Sequence, residues 1–337
     1  MNKKICILYT GGTIGMVPTE NGYAPKKGYF RSLLDDISQL RHSDMPQWDL
    51  VEFDPLLDSS DISVREWNAI GYAISSRYDD YDGFVILHGT DTMAYTASAL
   101  SFMLEGLGKP VVMTGSQIPM CEVRSDGRDN IINSLMIAAQ GKANEVSIYF
   151  AGKLIRGNRA TKTSADDLIA FTSPSYPALA EVGIDIRYSR RALQLPEQPA
   201  AFKMREFKSV PIAVLKMFPG MRFDLLEPII TKKIQGVILE AFGSGNIPSQ
   251  DTALVNSIRR ASEGGTLIAV CSQCYQGTAR IGTYAASSKL GEFGAVSCLD
   301  MTTEAAVAKL YYLFSQDMET EALKRAMETN LRGEMSI

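Results

Sequence analysis

Two threonines hold hydroxyls at positions suited to chemistry, Thr13 in Tyr9-Thr10-Gly11-Gly12-Thr13-Ile14-Gly15 and Thr90 in His88-Gly89-Thr90-Asp91-Thr92. Each follows a short apolar run and is flanked by glycine, so the backbone turns sharply and leaves the hydroxyl open to a ligand. A threonine hydroxyl is a poor nucleophile until a base takes its proton. The chain has only two histidines, and His42 lies in a polar stretch, so His88 alone qualifies for a histidine-dependent mechanism. His88 is two residues from Thr90 and would share its face on a strand, but no Gly-x-Ser-x-Gly elbow accompanies it. A structural hydrogen bond near a strand end is the other reading of His88.

These hydroxyls need elements to place them. Lys4 to Tyr9 and Gly83 to His88 read as buried strands, and Met93 to Leu104 as a helical run after the second motif. In an open α/β sheet, ligands bind beyond the carboxyl ends of the strands, so both threonines point toward one site. Val111 to Thr114 and Val146 to Phe150 are further strand candidates, and Phe30 to Leu40, Val64 to Tyr78 and Arg128 to Gln140 are helical runs between them. Ser63 with Glu66 forms a capping box, and Trp67, Ile70 and Ile74 fall on one helical face. The alternation predicts an α/β fold with a mainly parallel sheet flanked by helices. Arg190 to Pro199 has no periodicity and two prolines, and strands restart at Ile212 to Leu215, Gly236 to Leu239 and Thr266 to Val270. The expected organisation is a large N-terminal catalytic domain over 1–189, a linker over 190–210 and a smaller α/β domain over 211–337.

A length of 337 residues with 45% hydrophobic and 21% charged residues suits roughly two domains at about 150 residues each. The formal net charge is −4 and basic residues are scattered, which argues against nucleic acid or an anionic membrane as partner. The start of the chain offers no long apolar run or cleavage site, so a cytoplasmic location is expected. Of five cysteines, Cys6 and Cys298 lie in or beside apolar runs and read as buried reduced thiols. Cys271-Ser272-Gln273-Cys274 has zinc-like spacing without a second pair or nearby histidines, and no metal is expected there. The first motif alone also admits a cofactor loop or a structural turn. Its glycines, however, do not follow G-x-G-x-x-G, nor does it end in Gly-Lys-Ser/Thr. Tyr23 follows in the polar Pro18-Thr19-Glu20-Asn21-Gly22-Tyr23, which reads as a loop able to cover a site or as a plain surface aromatic.

Together, the Thr10 to Gly15 and His88 to Thr92 signatures resemble those of bacterial L-asparaginases. The resemblance extends to Asp58-Ser59-Ser60-Asp61, Thr114-Gly115-Ser116-Gln117, Arg128-Asp129-Asn130 and Gly243-Ser244-Gly245-Asn246. It covers nearly the whole chain and is closest to the cytoplasmic, type I branch. It implies hydrolysis of L-asparagine to L-aspartate and ammonia, without cofactor or metal, in a homodimer or homotetramer. Carried over, Thr13 would be the nucleophile, Tyr23 would help polarise it, and Thr90, Asp91 and Lys162 would form a second catalytic group. Asp58, Ser59, Ser60, Thr90, Asp91 and Ser116 would bind substrate, with Ser59 and Ser60 near the α-carboxylate and Asp91 near the α-ammonium. Residue by residue, Lys162 in Arg156 to Thr163 reads more readily as a solvated lysine than as a catalytic one, and Asp91 also as a helix N-cap. Secreted members place asparagine two residues beyond the position of Asn246, where this chain has Pro248. They also supply an acidic residue from a neighbouring protomer, for which Glu292 is the nearest candidate. A glutaminase, the asparaginase-like component of glutamyl-tRNA amidotransferase, which has an extra N-terminal domain, and an amino-acid sensor without turnover are the alternatives.

Overall fold

The structure, a computed structural model, describes residues 3–197, 199, 201–222, 234–283 and 285–336. The chain divides into two compact units, Met1–Glu206 and Phe207–Ile337. The first is built on an eight-stranded sheet whose spatial order is Ile186–Tyr188, Ala180–Val182, Lys153–Arg156, Val146–Phe150, Val111–Thr114, Gly83–Leu87, Lys4–Gly11 and Gln47–Leu57. The last five run parallel, and the three at the other edge pair antiparallel. Gly83–Leu87 and Val111–Thr114 are buried at every position, as apolar strands covered on both faces must be. The helix Met93–Met103 packs against Val146–Phe150, and Gly127–Gln140 against Val111–Thr114.

The N-terminal strand sits between Gln47–Leu57 on one side and Gly83–Leu87 on the other, so connections leave it in both directions. That is the switch point at which open sheets bind ligands. Gln47–Leu57 is absent from the apolar-run reading because it is an edge strand. It carries Asp49, Glu52, Asp54 and Pro55, residues that only an edge tolerates. The helical run expected over Phe30 to Leu40 ends at Asp35, where Asp35-Asp36 oppose the helix dipole, and a separate turn covers Ser38–Arg41. The capping box at Ser63 and Glu66 is present, and Trp67, Ile70 and Ile74 are buried.

The second unit has four parallel strands in the order Ile212–Lys216, Gly236–Ala241, Leu267–Ser272 and Val296–Ser297. Val237, Leu239, Ile258, Ile268 and Val270 anchor its core. Near its end, Lys309 and Glu334 form a fully buried ion pair at 2.6 Å. The 190–210 segment includes the buried Ala192 and a short strand, Lys203–Met204, paired with Leu104–Glu105. Gln198 and Ala200, within the expected linker, lie outside the described residues. Among the described residues no helix is long and apolar enough to cross a membrane.

Candidate active site

Four motif segments leave the carboxyl ends of four neighbouring strands: Thr114 to Gln117, His88 to Thr92, Gly11 to Gly15 and Asp58 to Asp61. Glycine lets them interlock. A Cβ on Gly12, whose φ is 90°, would stand 2.4 Å from the Gly89 nitrogen, and one on Gly89 would stand 2.5 Å from Ser59 Oγ. No other residue type permits both approaches. The two threonine signatures and the Asp58 segment, far apart along the chain, are thereby held against one another.

Thr13 opens a single 3-10 turn, Thr13–Gly15, closed by Gly15 N donating to Gly12 O at 3.3 Å. It is half-buried, and its hydroxyl makes no hydrogen bond among the described residues. The turn is pinned from outside by Met120 N donating to Ile14 O at 3.1 Å. Tyr23 lies on the following hairpin, Met16–Thr19 with Gly22–Pro25, and is 48% exposed. Its hydroxyl donates to Glu122 Oε1 at 2.6 Å, and no hydrogen bond joins it to Thr13.

Thr90 has a different setting. Lys162 Nζ donates to Thr90 Oγ1 at 2.8 Å and to Asp91 Oδ1 at 2.7 Å, while Thr90 gives its own proton to Gln117 Oε1 at 3.2 Å. Gln117 is oriented by its Nε2, which donates to the carbonyls of Ala165 and Asp167 at 3.1 and 3.2 Å. A flipped amide would set oxygen against those two carbonyls, so Oε1 faces Thr90. Lys162 is carried by a two-residue strand, Thr161–Lys162, paired with Phe171–Thr172. The cations before it are not a solvated face. Arg156 is buried and donates from Nε to Glu145 Oε2 at 2.5 Å, and the guanidinium groups of Arg156 and Arg159 lie 4.7 and 4.9 Å from the Tyr176 ring centroid.

His88 is fully buried, with Nδ1 2.7 Å from Gly89 O and Nε2 3.1 Å from Thr96 Oγ1. Burial pushes its pKa down to about 4, opposed by the bond to the Gly89 carbonyl. The ring is neutral at physiological pH. Its Nδ1–H donates to Gly89, and Nε2 accepts from Thr96, whose oxygen in turn accepts from Trp67 Nε1 at 3.1 Å. Both nitrogens are committed to the scaffold, which disfavours it as a proton carrier. Asp91 does not cap the next helix. Thr92 holds that position, and its hydroxyl donates to Ser59 O at 2.6 Å.

Asp58 caps the Ser59–Asp61 turn, its Oδ1 accepting from both Ser60 N and Ser60 Oγ at 2.9 Å. Ser59 is buried beside Gly89, and Ser60 is exposed. Ser116 Oγ is buried without a hydrogen bond among the described residues. Its turn is fixed by Asn130 Nδ2, which donates to Gly115 O at 3.0 Å, and by Asp126, which accepts from Gln117 N and Ile118 N at 3.1 Å. Gln117 and Glu122, which hold the Thr90 and Tyr23 hydroxyls, escape a motif reading. Gln117 lies in a motif that gives it no role, and Glu122 carries no signal in sequence. In the second unit, Asn246 Oδ1 is buried without a hydrogen bond among the described residues. Of the five free thiols, Cys6, Cys271 and Cys298 are buried, whereas Cys121 and Cys274 are exposed, so the buried-thiol reading does not extend to those two.

A family model for the asparaginase N-terminal domain matches residues 4–194, and one for the glutaminase/asparaginase C-terminal domain matches residues 211–327. The chain belongs to the asparaginase family. It is 44% identical to L-asparaginase 1 of Escherichia coli strain K12, over 99% of this chain and 98% of that one. The crystal structure of L-asparaginase I from Vibrio cholerae superposes with a TM-score of 0.92 at 42% identity, covering 100% of both chains. The thermostable L-asparaginase from Thermococcus kodakarensis superposes with a TM-score of 0.88 at 30% identity, covering 99% of both chains.

Proposed function

We propose that this chain hydrolyses the side-chain amide of L-asparagine to L-aspartate and ammonia, with Thr13 as nucleophile. The observation that supports it best is the pairing of one hydroxyl that makes no hydrogen bond among the described residues, on Thr13, with a second hydroxyl wired to an amine, on Thr90. On the half-buried Thr13, Oγ1 releases its proton to water as it attacks the amide carbon, and the C–N bond then breaks, leaving an aspartyl ester on Thr13. The departing nitrogen needs a proton. Thr90 supplies it and is reprotonated by Lys162, a direction already set by the Lys162-to-Thr90 hydrogen bond. Lys162, now neutral, takes one proton back through Thr90 from the water that cleaves the ester, and the water's other proton restores the Thr13 hydroxyl as the ester C–O bond breaks and the product leaves as a carboxylate. For both steps the Thr90 hydroxyl turns from Gln117 toward the substrate.

Asp91 gives one oxygen to Lys162 and its side chain is 66% exposed, which leaves the other oxygen for the substrate α-ammonium. Ser59, Ser60 and the turn N–H groups serve the α-carboxylate, with Asp58 fixing the turn. The Ser116 backbone carbonyl receives the amide. The enzyme works as a homodimer or homotetramer, a reading supported by family membership, and a fully active monomer in sedimentation at assay concentration would count against it. Free thiols suit the reducing cytoplasm.

The direct test is ammonia release from asparagine and from glutamine over a wide concentration range. Faster release from asparagine at saturation is expected, although one methylene is worth only about 1 to 3 kcal/mol of discrimination. Binding of asparagine without ammonia release would contradict the proposal.

A further inference from the structure

The hairpin after Thr13 buries little of itself, and an isolated two-stranded ribbon has little stability of its own. Its position is therefore set by what holds it. One segment, Pro119 to Ser125, holds both the Thr13–Gly15 turn before it and the hairpin itself. Met120 N donates to Ile14 O at 3.1 Å, Cys121 Sγ reaches Met16 O at 3.5 Å, and Glu122 accepts the Tyr23 hydroxyl at 2.6 Å. The last contact reaches the hairpin's second strand. Its length and carboxylate acceptor mark a charge-assisted bond, and the bond to Glu122 pushes the phenol pKa up. A phenol has one proton to give, and here it is given away from Thr13.

We infer that Glu122 is a positioning residue that parks Tyr23 clear of Thr13 between turnovers, and that this bond must break before the hairpin brings the phenol to the nucleophile. The inference rests on the proposed function and on the part the family resemblance implies for Tyr23, polarising Thr13. It makes productive binding depend on a prior equilibrium, so apparent affinity is reduced by the parked fraction. Glu122 acts through Tyr23 and touches no reacting atom.

The test combines steady-state ammonia release with hydrogen exchange of the hairpin amides, on wild type, Glu122→Ala, Glu122→Gln, Tyr23→Phe and the Tyr23→Phe/Glu122→Ala double variant. Glu122→Ala is expected to lower KM for asparagine about three- to tenfold with kcat unchanged, and to speed exchange across Met16 to Pro25. Glu122→Gln, which keeps a neutral acceptor, is expected to fall between it and wild type. In the Tyr23→Phe background the alanine change is expected to alter neither KM nor exchange, because the bond is already gone. A fall in kcat at constant KM in Glu122→Ala overturns the inference, since Glu122 would then act in the reacting state. Wild-type exchange and kinetics in that variant overturn it as well. Wild-type kcat in Tyr23→Phe removes Tyr23 from the reaction instead. Faster exchange in both single variants would even then reveal the Glu122 anchor, so the two failures are separable.

Discussion

Two lysines in this chain hold a carboxylate at nearly the same distance and do opposite work. Lys162 meets Asp91 at 2.7 Å in a pair open to solvent, whereas Lys309 meets Glu334 at 2.6 Å with both side chains wholly buried. Lys309 spends its other protons on the carbonyls of Met327 and Thr329, and Glu334 accepts from Leu331 N and Arg332 N. Burial pushes the Lys309 ammonium pKa down, and Glu334 opposes that shift. Every contact ties the chain's last turn into its core. Lys162 instead donates to a hydroxyl, Thr90 Oγ1, which in the proposed reaction passes the proton on. An ion pair becomes chemically useful when one of its donors reaches a second exchangeable proton and solvent reaches the pair. Sealed by carbonyls, the same pair is a clamp.

The contrast can be broken by exchanging the readouts. Lys309→Met leaves Glu334 buried and unpaired, and should lower the unfolding free energy by about 3–5 kcal/mol in denaturant melts. The folded fraction should keep its kcat, and a lost kcat at full stability would erase the distinction. His88 supplies a buried group that carries no charge when folded. Its pKa is about 4 in the fold against 6.5 unfolded, so its stabilising share is complete above pH 6.5 and is lost as the pH falls toward 4. The loss should approach about 3 kcal/mol, and His88→Gln should flatten that part of the stability–pH curve relative to wild type.

At the open pair the effects should be kinetic. Lys162→Met and Thr90→Val should each reduce kcat on the order of 10²-fold or more with little change in melting temperature. Combined, they should cost much less than the product of the two losses, because the hydroxyl and the amine act on one proton. A double-mutant cycle on kcat/KM that shows full additivity would separate them. The smallest expected change is in Asp91→Ala, where loss of the substrate ammonium contact should raise KM about tenfold and lower kcat less. A larger fall in kcat than rise in KM would tie Asp91 to Lys162 rather than to the substrate.

Much of the scaffold is legible in the chain because buried parallel strands are continuous apolar runs. Gly83–Leu87, Val111–Thr114 and Val146–Phe150 emerge within a residue of their bounds. Gln47–Leu57 does not, since an edge strand carries charges and proline that mimic a loop. Glycines announce sharp turns, but that Gly12 lies against Gly89 is a tertiary fact with no local signal. The same holds for Lys162, 72 residues from Thr90, which the family resemblance links and spacing does not. Arg156 and Arg159 lie in a polar stretch of the sequence, yet Glu145 and Tyr176 draw them inside. Gln117 and Glu122 are ordinary polar residues until the fold turns them toward Thr90 and Tyr23.

The central claim is that the Thr13 hydroxyl, which makes no hydrogen bond among the described residues, is the one that attacks. Ammonia release from asparagine by Thr13→Ala, with matched circular dichroism and oligomeric state, tests it most directly. The expected result is a loss on the order of 10³-fold or more, with partial activity retained in Thr13→Ser because the reacting oxygen remains. Release from the alanine variant within tenfold of wild type would contradict the claim and move the nucleophile elsewhere.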